Sequence, residues 1–319
     1  KGNINFDDLV YGKINTDCSE LDDFIIARSD GSPTYNLTVV VDDNDMNISH
    51  VIRGEDHISN TPKQMLIYKA LGWTMPKFGH LPMILGSDGK RLSKRHGAKG
   101  TSEYKDLGYL PDTLINYLAL LGWNPGNGDE IFDFNYLQEN FSLDKVNKKS
   151  AVFDTTKLEW VSSQNIFKIS AAKLVDIVSE FDPTWCDEGH SLEYLVKVIE
   201  LIKDRIKTLS DIKENAFYFF NHPTEYDEAA MRKCWVENTN GILNSFQEEL
   251  SHLDDWNSSN IDEFIDKCVN AINVGKGKLM QPLRIALTGA LKGPSIPDLM
   301  TLLGKETCLI RIKNILKNS

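Results

Sequence analysis

The chain has 319 residues, 41% of them hydrophobic and 25% charged, with a net charge of −11; that is too long for one ordinary core and normal for two or three folded units. It contains no run of about 18 apolar residues, which argues against a membrane-spanning helix, and Lys1 opens no charged-then-apolar signal segment. The five cysteines (Cys18, Cys186, Cys234, Cys268, Cys308) are far apart and form no C-x-x-C pair, which disfavours a disulfide framework or a zinc ribbon and fits a reducing cytoplasm.

In chain order, the first hundred residues read as α/β. Leu37–Val41 is a short apolar, β-branched run of the kind buried in a parallel sheet. Ile48–Ile52 is a second predicted strand. Thr61 then reads as an N-cap with Pro62 at the first helical position, and the helix runs to Gly72. Phe78–Leu85 is the next predicted strand, so the stretch forms one βαβ unit with a right-handed crossover. Asp42-Asp43-Asn44-Asp45 looks briefly like a calcium loop. Counted from Asp43, however, Ile48 stands where a glycine is needed and Gly54 where a glutamate is needed.

After Gly100 the pattern turns helical. Pro111 opens a helix ended by Gly122, and Ser191 precedes a long one carrying Leu192, Leu195, Ile199, Ile202, Ile206 and Leu209 at three-to-four spacing. Further helices are predicted over 171–181, 261–272, 279–291 and 297–303, with a domain boundary near residue 165. Charge is uneven. Residues 276–319 hold eight Lys/Arg against two acids, +6, which leaves −17 on the rest. A polyanion could be met there while the acidic bulk stays solvated.

Two stretches carry chemistry. Gly86-Ser-Asp-Gly-Lys-Arg-Leu-Ser-Lys-Arg-His-Gly97 follows a predicted parallel strand, where open α/β sheets place their ligands. Its lysines and arginines suit phosphate charge in nucleotidyl transfer; composition alone fits equally a solvated basic loop or a nuclear-import patch. Val51-Ile-Arg-Gly-Glu-Asp-His57 ends the preceding strand, and its arginine and carboxylates suit an amino-acid or ribose site, or a surface salt-bridge cluster.

Arg91-Leu-Ser-Lys-Arg95 resembles the KMSKS loop of class I aminoacyl-tRNA synthetases. Ser29-Asp-Gly-Ser-Pro-Thr-Tyr35, Val39-Val-Val-Asp-Asp43 and Val51 through Pro62 are similar to the stretch that bacterial-type glutamyl-tRNA synthetases carry ahead of that loop. Gly108-Tyr-Leu-Pro, Asn116-Tyr-Leu, Gly122-Trp and Phe153-Asp-Thr-Thr-Lys-Leu match that family's stem-contact region. Gly277-Lys, Pro282 to Gly289, Gly293-Pro and Leu302-Leu-Gly304 match its last helical domain.

The resemblance implies an architecture: the end of an acceptor-binding insertion (1–36), the second half of a split Rossmann catalytic domain (37–90), the KMSKS-type loop with a stem-contact domain (91–165), and a helical anticodon-binding region (166–319). It implies ATP-dependent activation of L-glutamate and transfer to tRNA(Glu). Tyr35 and Arg53 match positions that hold glutamate. Lys94 matches the loop lysine that binds ATP phosphates, with Ser93 and Arg91 in support, although the family often has Lys at the position of Arg91. Met83 and Ile84 match an adenine contact through backbone groups, and Asp56 and His57 lie near the nucleotide. Lys276, Lys278 and Arg284 are the expected tRNA contacts within the basic terminal segment. ATP with Mg2+ is the implied cofactor, no protein-bound zinc is expected, and a cytoplasmic monomer is the expected state.

One signature is missing. None of the seven histidines sits in a His-Ile-Gly-His-type motif, so an N-terminal portion is expected to lie outside this chain and the chain alone to be inactive. Two rivals remain. A glutaminyl-tRNA synthetase-like enzyme is disfavoured because that family ends in β-barrels, and a catalytically silent tRNA-binding or regulatory module is allowed by the missing motif.

Overall fold

The computed structural model describes residues 2–93 and 99–318. They form two compact units, one of residues 2–93, 99–103 and 111–161, the other of 104–110 and 162–318.

The first unit opens with an antiparallel hairpin, β1 (Asn3–Asp8) and β2 (Gly12–Asp17), in register from Asn3 opposite Asp17 to Asp8 opposite Gly12. Gly12 takes φ +80° at the turn, a left-handed conformation that glycine adopts without steric cost. The segment Leu37–Val41, read above as a strand, lies instead within α1 (Tyr35–Asp45). A run of five residues is too short for periodicity to separate strand from buried helix. Tertiary packing decides: Val40 is fully buried in a cluster with Ile67 and Tyr68 of the next helix, against which Leu37 and Val39 also pack.

β3 (His50–Gly54), α2 (Thr61–Leu71) and β4 (Lys77–Leu81) make the expected parallel strand–helix–strand unit. α2 ends on Gly72 at φ +70°, as its sequence foretold. Thr61, however, is the first residue of the helix and not its cap. The predicted strand 78–85 breaks after Leu81, because Pro82 has no N–H for a ladder; it resumes as β5 (Ile84–Leu85), which pairs in parallel with β6 (Ala151–Val152). Between these last two strands lie α3 (Thr101–Asp106), α4 (Pro111–Leu120) and α5 (Phe134–Asn140), and α6 (Thr155–Lys168) follows.

In the second unit no strand occurs among the described residues. Its helices are α7 (Ala171–Phe181), α8 (Leu192–Ile202), α9 (Ser210–Phe220), α10 (Glu228–Cys234), α11 (Thr239–Ser251), α12 (Ser258–Ile272), α13 (Lys276–Thr288), α14 (Ile296–Leu303) and α15 (Lys305–Asn318). Ser191 caps α8, accepting from the N–H of Tyr194 at 3.2 Å; that helix ends at Ile202, earlier than the apolar spacing to Leu209 implied, in a tight turn over Lys203–Arg205. Leu174, Val178, Ile199, Leu243, Phe246, Leu299 and Ile312 belong to one continuous core. Gly108 explains part of its motif here. It has φ +81°, and a Cβ would stand 2.7 Å from the backbone nitrogen of Ser210, so a larger residue would be both strained and obstructed.

Candidate functional site

Parallel pairing places Arg53 of β3 directly opposite His80 of β4, at the carboxyl end of the strands where α/β sheets bind ligands. The Arg53 guanidinium is half-buried and held by neutral groups. Nη2 donates to Thr61 Oγ1 and Gln64 Oε1, each at 2.8 Å, and Nε donates to His80 Nε2 at 3.3 Å. Gln64 is fixed in turn, its Nε2 donating to Asn36 Oδ1 at 3.1 Å. Among the described residues no carboxylate lies within ion-pair distance of Arg53. Burial lowers its pKa, and the Tyr35 hydroxyl, Asp43 and Asp56 partly offset that; an arginine stays charged regardless.

Tyr35, the first residue of α1, approaches His57: Oη lies 3.3 Å from Nδ1, and the rings are 5.9 Å apart. Tyr35 thus meets His57, and its hydroxyl also faces Arg53. Asp56 instead forms an ion pair with Arg91 at 2.9 Å. Gly54 permits this backfolding, since a Cβ there would stand 2.5 Å from Asp56 Oδ1. Glu55 bridges two elements: one oxygen accepts from the N–H of Met83 at 2.9 Å and the other from the Tyr11 hydroxyl. Burial and Glu55 push the Tyr11 pKa up to about 12.

These bonds narrow what the backbone near Met83 offers a base. The Met83 N–H is committed to Glu55, and the Ile84 carbonyl already accepts from Leu92 N–H at 2.9 Å. An amide contact at Met83 would therefore require Glu55 to move. The basic loop folds back on β5: Leu85 and Arg91 form an antiparallel bridge, Gly86 N–H donates to Lys90 O at 2.8 Å, and Gly89 turns at φ +73°. Ser93 is half-buried. Lys94 lies outside the described residues.

A buried pair that sequence reading missed stands behind Arg53. Asp8 and His80 are 4% and 0% exposed, with Asp8 Oδ2 2.6 Å from His80 Nδ1. Burial alone would raise the Asp8 carboxyl, but hydrogen bonds from Tyr11, His80 and Val10 outweigh it and hold the group below its ordinary value. Burial lowers His80 despite Asp8, which pulls the other way. A histidine inside the otherwise apolar run FGHLPMIL was the available signal. Thr61, read as a cap, is in fact an acceptor for Arg53.

In the helical unit the expected basic patch divides. Lys276 is paired with Asp266 at 2.7 Å and Asp262 at 3.4 Å, while Lys278 is exposed. Arg284 is half-buried, with Nη1 donating to Pro294 O at 2.6 Å, so it does not join the lysines as a surface cation. Arg311 is 2% exposed. Counting charge along the sequence therefore overstated what this segment presents to a polyanion. Among the described residues no group of three or more His, Cys, Asp or Glu is placed to hold a metal, and no helix is long and apolar enough to cross a membrane.

Comparison with known proteins matches residues 1–160 to the family described as tRNA synthetases class I (E and Q), catalytic domain, and residues 172–316 to the anticodon binding domain. A glutamate–tRNA ligase 1 of Syntrophus aciditrophicus is 44% identical over 96% of this chain and 65% of its own length. A glutamate–tRNA ligase 1 of Coxiella burnetii is 44% identical over 99% of the chain and 67% of its own. The crystal structure of a glutamate tRNA ligase from Elizabethkingia meningosepticum in complex with its amino acid superposes with a TM-score of 0.86 at 34% identity, over 99% of this chain and 66% of that one. The chain thus spans about two thirds of the length of the curated relatives it matches.

Proposed function

We propose, for a chain that belongs to the class I tRNA synthetases of the glutamate and glutamine group, that it forms the greater part of a glutamate–tRNA ligase. The observation that carries this reading is Arg53: a half-buried cation whose partners are all neutral, beside Tyr35 at the carboxyl end of a parallel strand. A planar fork held by neutral groups retains its charge for an incoming carboxylate, which it can meet bidentately.

In this reading a carboxylate of L-glutamate binds at Arg53 and Tyr35, and the reacting carboxylate oxygen attacks the α-phosphorus of ATP. The bond to the β-phosphate breaks and pyrophosphate leaves. A ribose hydroxyl of the tRNA terminus then attacks the acyl carbon and AMP departs, with no covalent bond to the enzyme. Lys94 stabilises charge on the phosphates, with Ser93 and Arg91 supporting the loop; Met83 and Ile84 border the base; Asp56 and His57 lie near the nucleotide. Mg2+ accompanies ATP and is held chiefly by its phosphates. Residues 166–319 take the anticodon stem and loop, with Lys278 and Lys276 contacting phosphate. The division at residue 165, the monomeric state and a cytoplasmic location belong to the same proposal. The all-helical second unit favours glutamate over the glutamine branch.

The test is glutamate-dependent ATP–pyrophosphate exchange. A full-length enzyme carrying this region should lose about a hundredfold or more in rate with Lys94→Ala and should chiefly lose glutamate affinity with Arg53→Lys. The 319-residue chain, having no His-Ile-Gly-His-type motif, should show no exchange. Exchange by the pure chain would sink the split-site reading, and equal losses for glutamate and ATP in Arg53→Lys would remove Arg53 from substrate recognition.

A further inference from the structure

We propose that Asp8 and His80 are positioning residues for Arg53: Asp8 fixes the proton of the His80 ring on Nδ1, so that Nε2 stays an acceptor for Arg53 and the guanidinium fork is aimed at its carboxylate. This rests on the reading of Arg53 as the glutamate contact.

The donor accounting leaves little freedom. Asp8 at the end of β1 is saturated: Oδ1 accepts from the N–H groups of Val10 at 2.9 Å, Tyr11 at 2.8 Å and His80 at 3.2 Å, and Oδ2 faces His80 Nδ1 at 2.6 Å. A carboxylate only accepts, so Nδ1 carries the hydrogen and Nε2 of the neutral ring carries a lone pair. Arg53 Nε–H points at that lone pair from 3.3 Å, and Thr61 Oγ1 lies 3.1 Å from it. Both hydrogens of Arg53 Nη2 go to Thr61 and Gln64. Three of the five guanidinium hydrogens are thereby fixed, and the Nη1 side remains for a ligand and the Tyr35 hydroxyl.

The opposite tautomer, or a protonated ring, would set an N–H of His80 against the N–H of Arg53. Burial favours the neutral ring, as does the charge of Arg53. The groups that face His80 are Asp8 from β1, Arg53 from β3, His57 from the turn after it and Thr61 from α2. The hairpin that begins the chain is thus linked to the orientation of Arg53 through two side chains, 72 residues apart in sequence. Outer partners of this kind, which orient the group that meets the ligand, commonly matter about tenfold or more.

Two substitutions separate positioning from support. His80→Asn retains an N–H toward Asp8 and removes the acceptor at the Nε2 position; His80→Gln restores an amide near Nε2. In the full-length enzyme, His80→Asn should weaken glutamate binding about tenfold or more with the KM for ATP within about twofold, and His80→Gln should recover most of that. Asp8→Asn should mimic His80→Asn and, in nitrogen-15 spectra of the 319-residue chain, move the ring proton from Nδ1 to Nε2. If His80→Asn does not fold by circular dichroism, the nearly isosteric Asp8→Asn carries the same comparison. Unchanged glutamate affinity in these variants, with Arg53→Lys still impaired, overturns the positioning role and leaves the glutamate site standing. Unchanged affinity in Arg53→Lys as well removes the reading of Arg53 and this proposal with it.

Discussion

Residues 162–318 and the sheet-bearing unit fill their interiors differently. The helical unit packs aliphatic and aromatic side chains into one continuous core, and its buried charge among the described residues, Arg311, serves the main chain. Arg311 donates to the carbonyls of Leu287 at 2.6 Å and Asn221 at 2.9 Å, where α13 and α9 end, and to His222 Nδ1 at 3.3 Å; a cation is favourable at a helix C-terminus. The first unit divides its apolar interior between small clusters around Trp123 and around Val40, and it buries Asp8, Thr61, Gln64 and His80. Two arginines without carboxylate partners thus have opposite roles. Arg311 has its donors turned inward to close helix ends, whereas Arg53 is braced by neutral groups with one side of its fork left over. The contrast separates an arginine spent on the main chain from one with donors left over more sharply than burial does.

The largest effect should come from the continuous core. Phe246 is fully buried, and Phe246→Ala should cost about 3–5 kcal/mol, measured by urea unfolding followed with hydrogen exchange; the loss should fall on amides of 162–318. If the amides around β3 and β4 lose as much, the two units do not rest on separate interiors. Thr61→Val tests the other side. It conserves volume but deprives Arg53 of an acceptor, so it should cost about 1–3 kcal/mol and weaken glutamate binding as well. A stability loss with glutamate affinity intact would make the polar network mere packing.

Acid should act on the polar interior next. His80 sits below its ordinary value of 6.5, so the unfolded chain takes up a proton near pH 6.5 that the folded ring resists. That contribution is whole above 6.5 and declines as pH falls from there toward the folded value. The Asp8 carboxyl is held below 3.8, so its contribution stands above that pH and fails only below it. Between pH 7.5 and 5.5 the first unit should lose stability by at most about 1.4 kcal/mol per pH unit, and His80→Gln should flatten the slope. A slope unchanged by that substitution would place the titrating group elsewhere. The smallest effect belongs to Lys276→Ala: an exposed cation between two aspartates contributes under about 1 kcal/mol, and tRNA affinity at low salt should change less than with Lys278→Glu. The reverse order would restore Lys276 as the chief phosphate contact.

Much of this was readable beforehand, for identifiable reasons. Arg53, Asp56 and His57 lie on one short motif that maps onto a strand end and the turn after it, and Tyr35 lies on another that opens α1. The basic loop announced itself through its glycines. The caps Ser191 and Gly72 carry their own local chemistry. What stayed hidden depended on distant pairing: His80 acquires its meaning only from the parallel register that sets it beside Arg53, and Asp8 only from a hairpin whose tip reaches β4. Leu37–Val41 misled because so short a run, four apolar residues and Thr38, satisfies either period until α2 packs against it. The charge count misled because Arg284 and Arg311 face main-chain carbonyls, which no tally of residues can register.

Arg311 also bears on the order in which the molecule can be completed. Its acceptors at Asn221 and Leu287 precede it by 90 and 24 residues, so α9 is finished by a donor made long after it. On the ribosome, the end of α9 must wait for that arginine to emerge with its carbonyl bonded only to solvent. Closure over so long a separation is an entropic step that local helix formation does not reward in advance. A nascent chain halted just short of residue 311 is expected to hold helices without a settled core, the stage at which a chaperone would find apolar surface to grip.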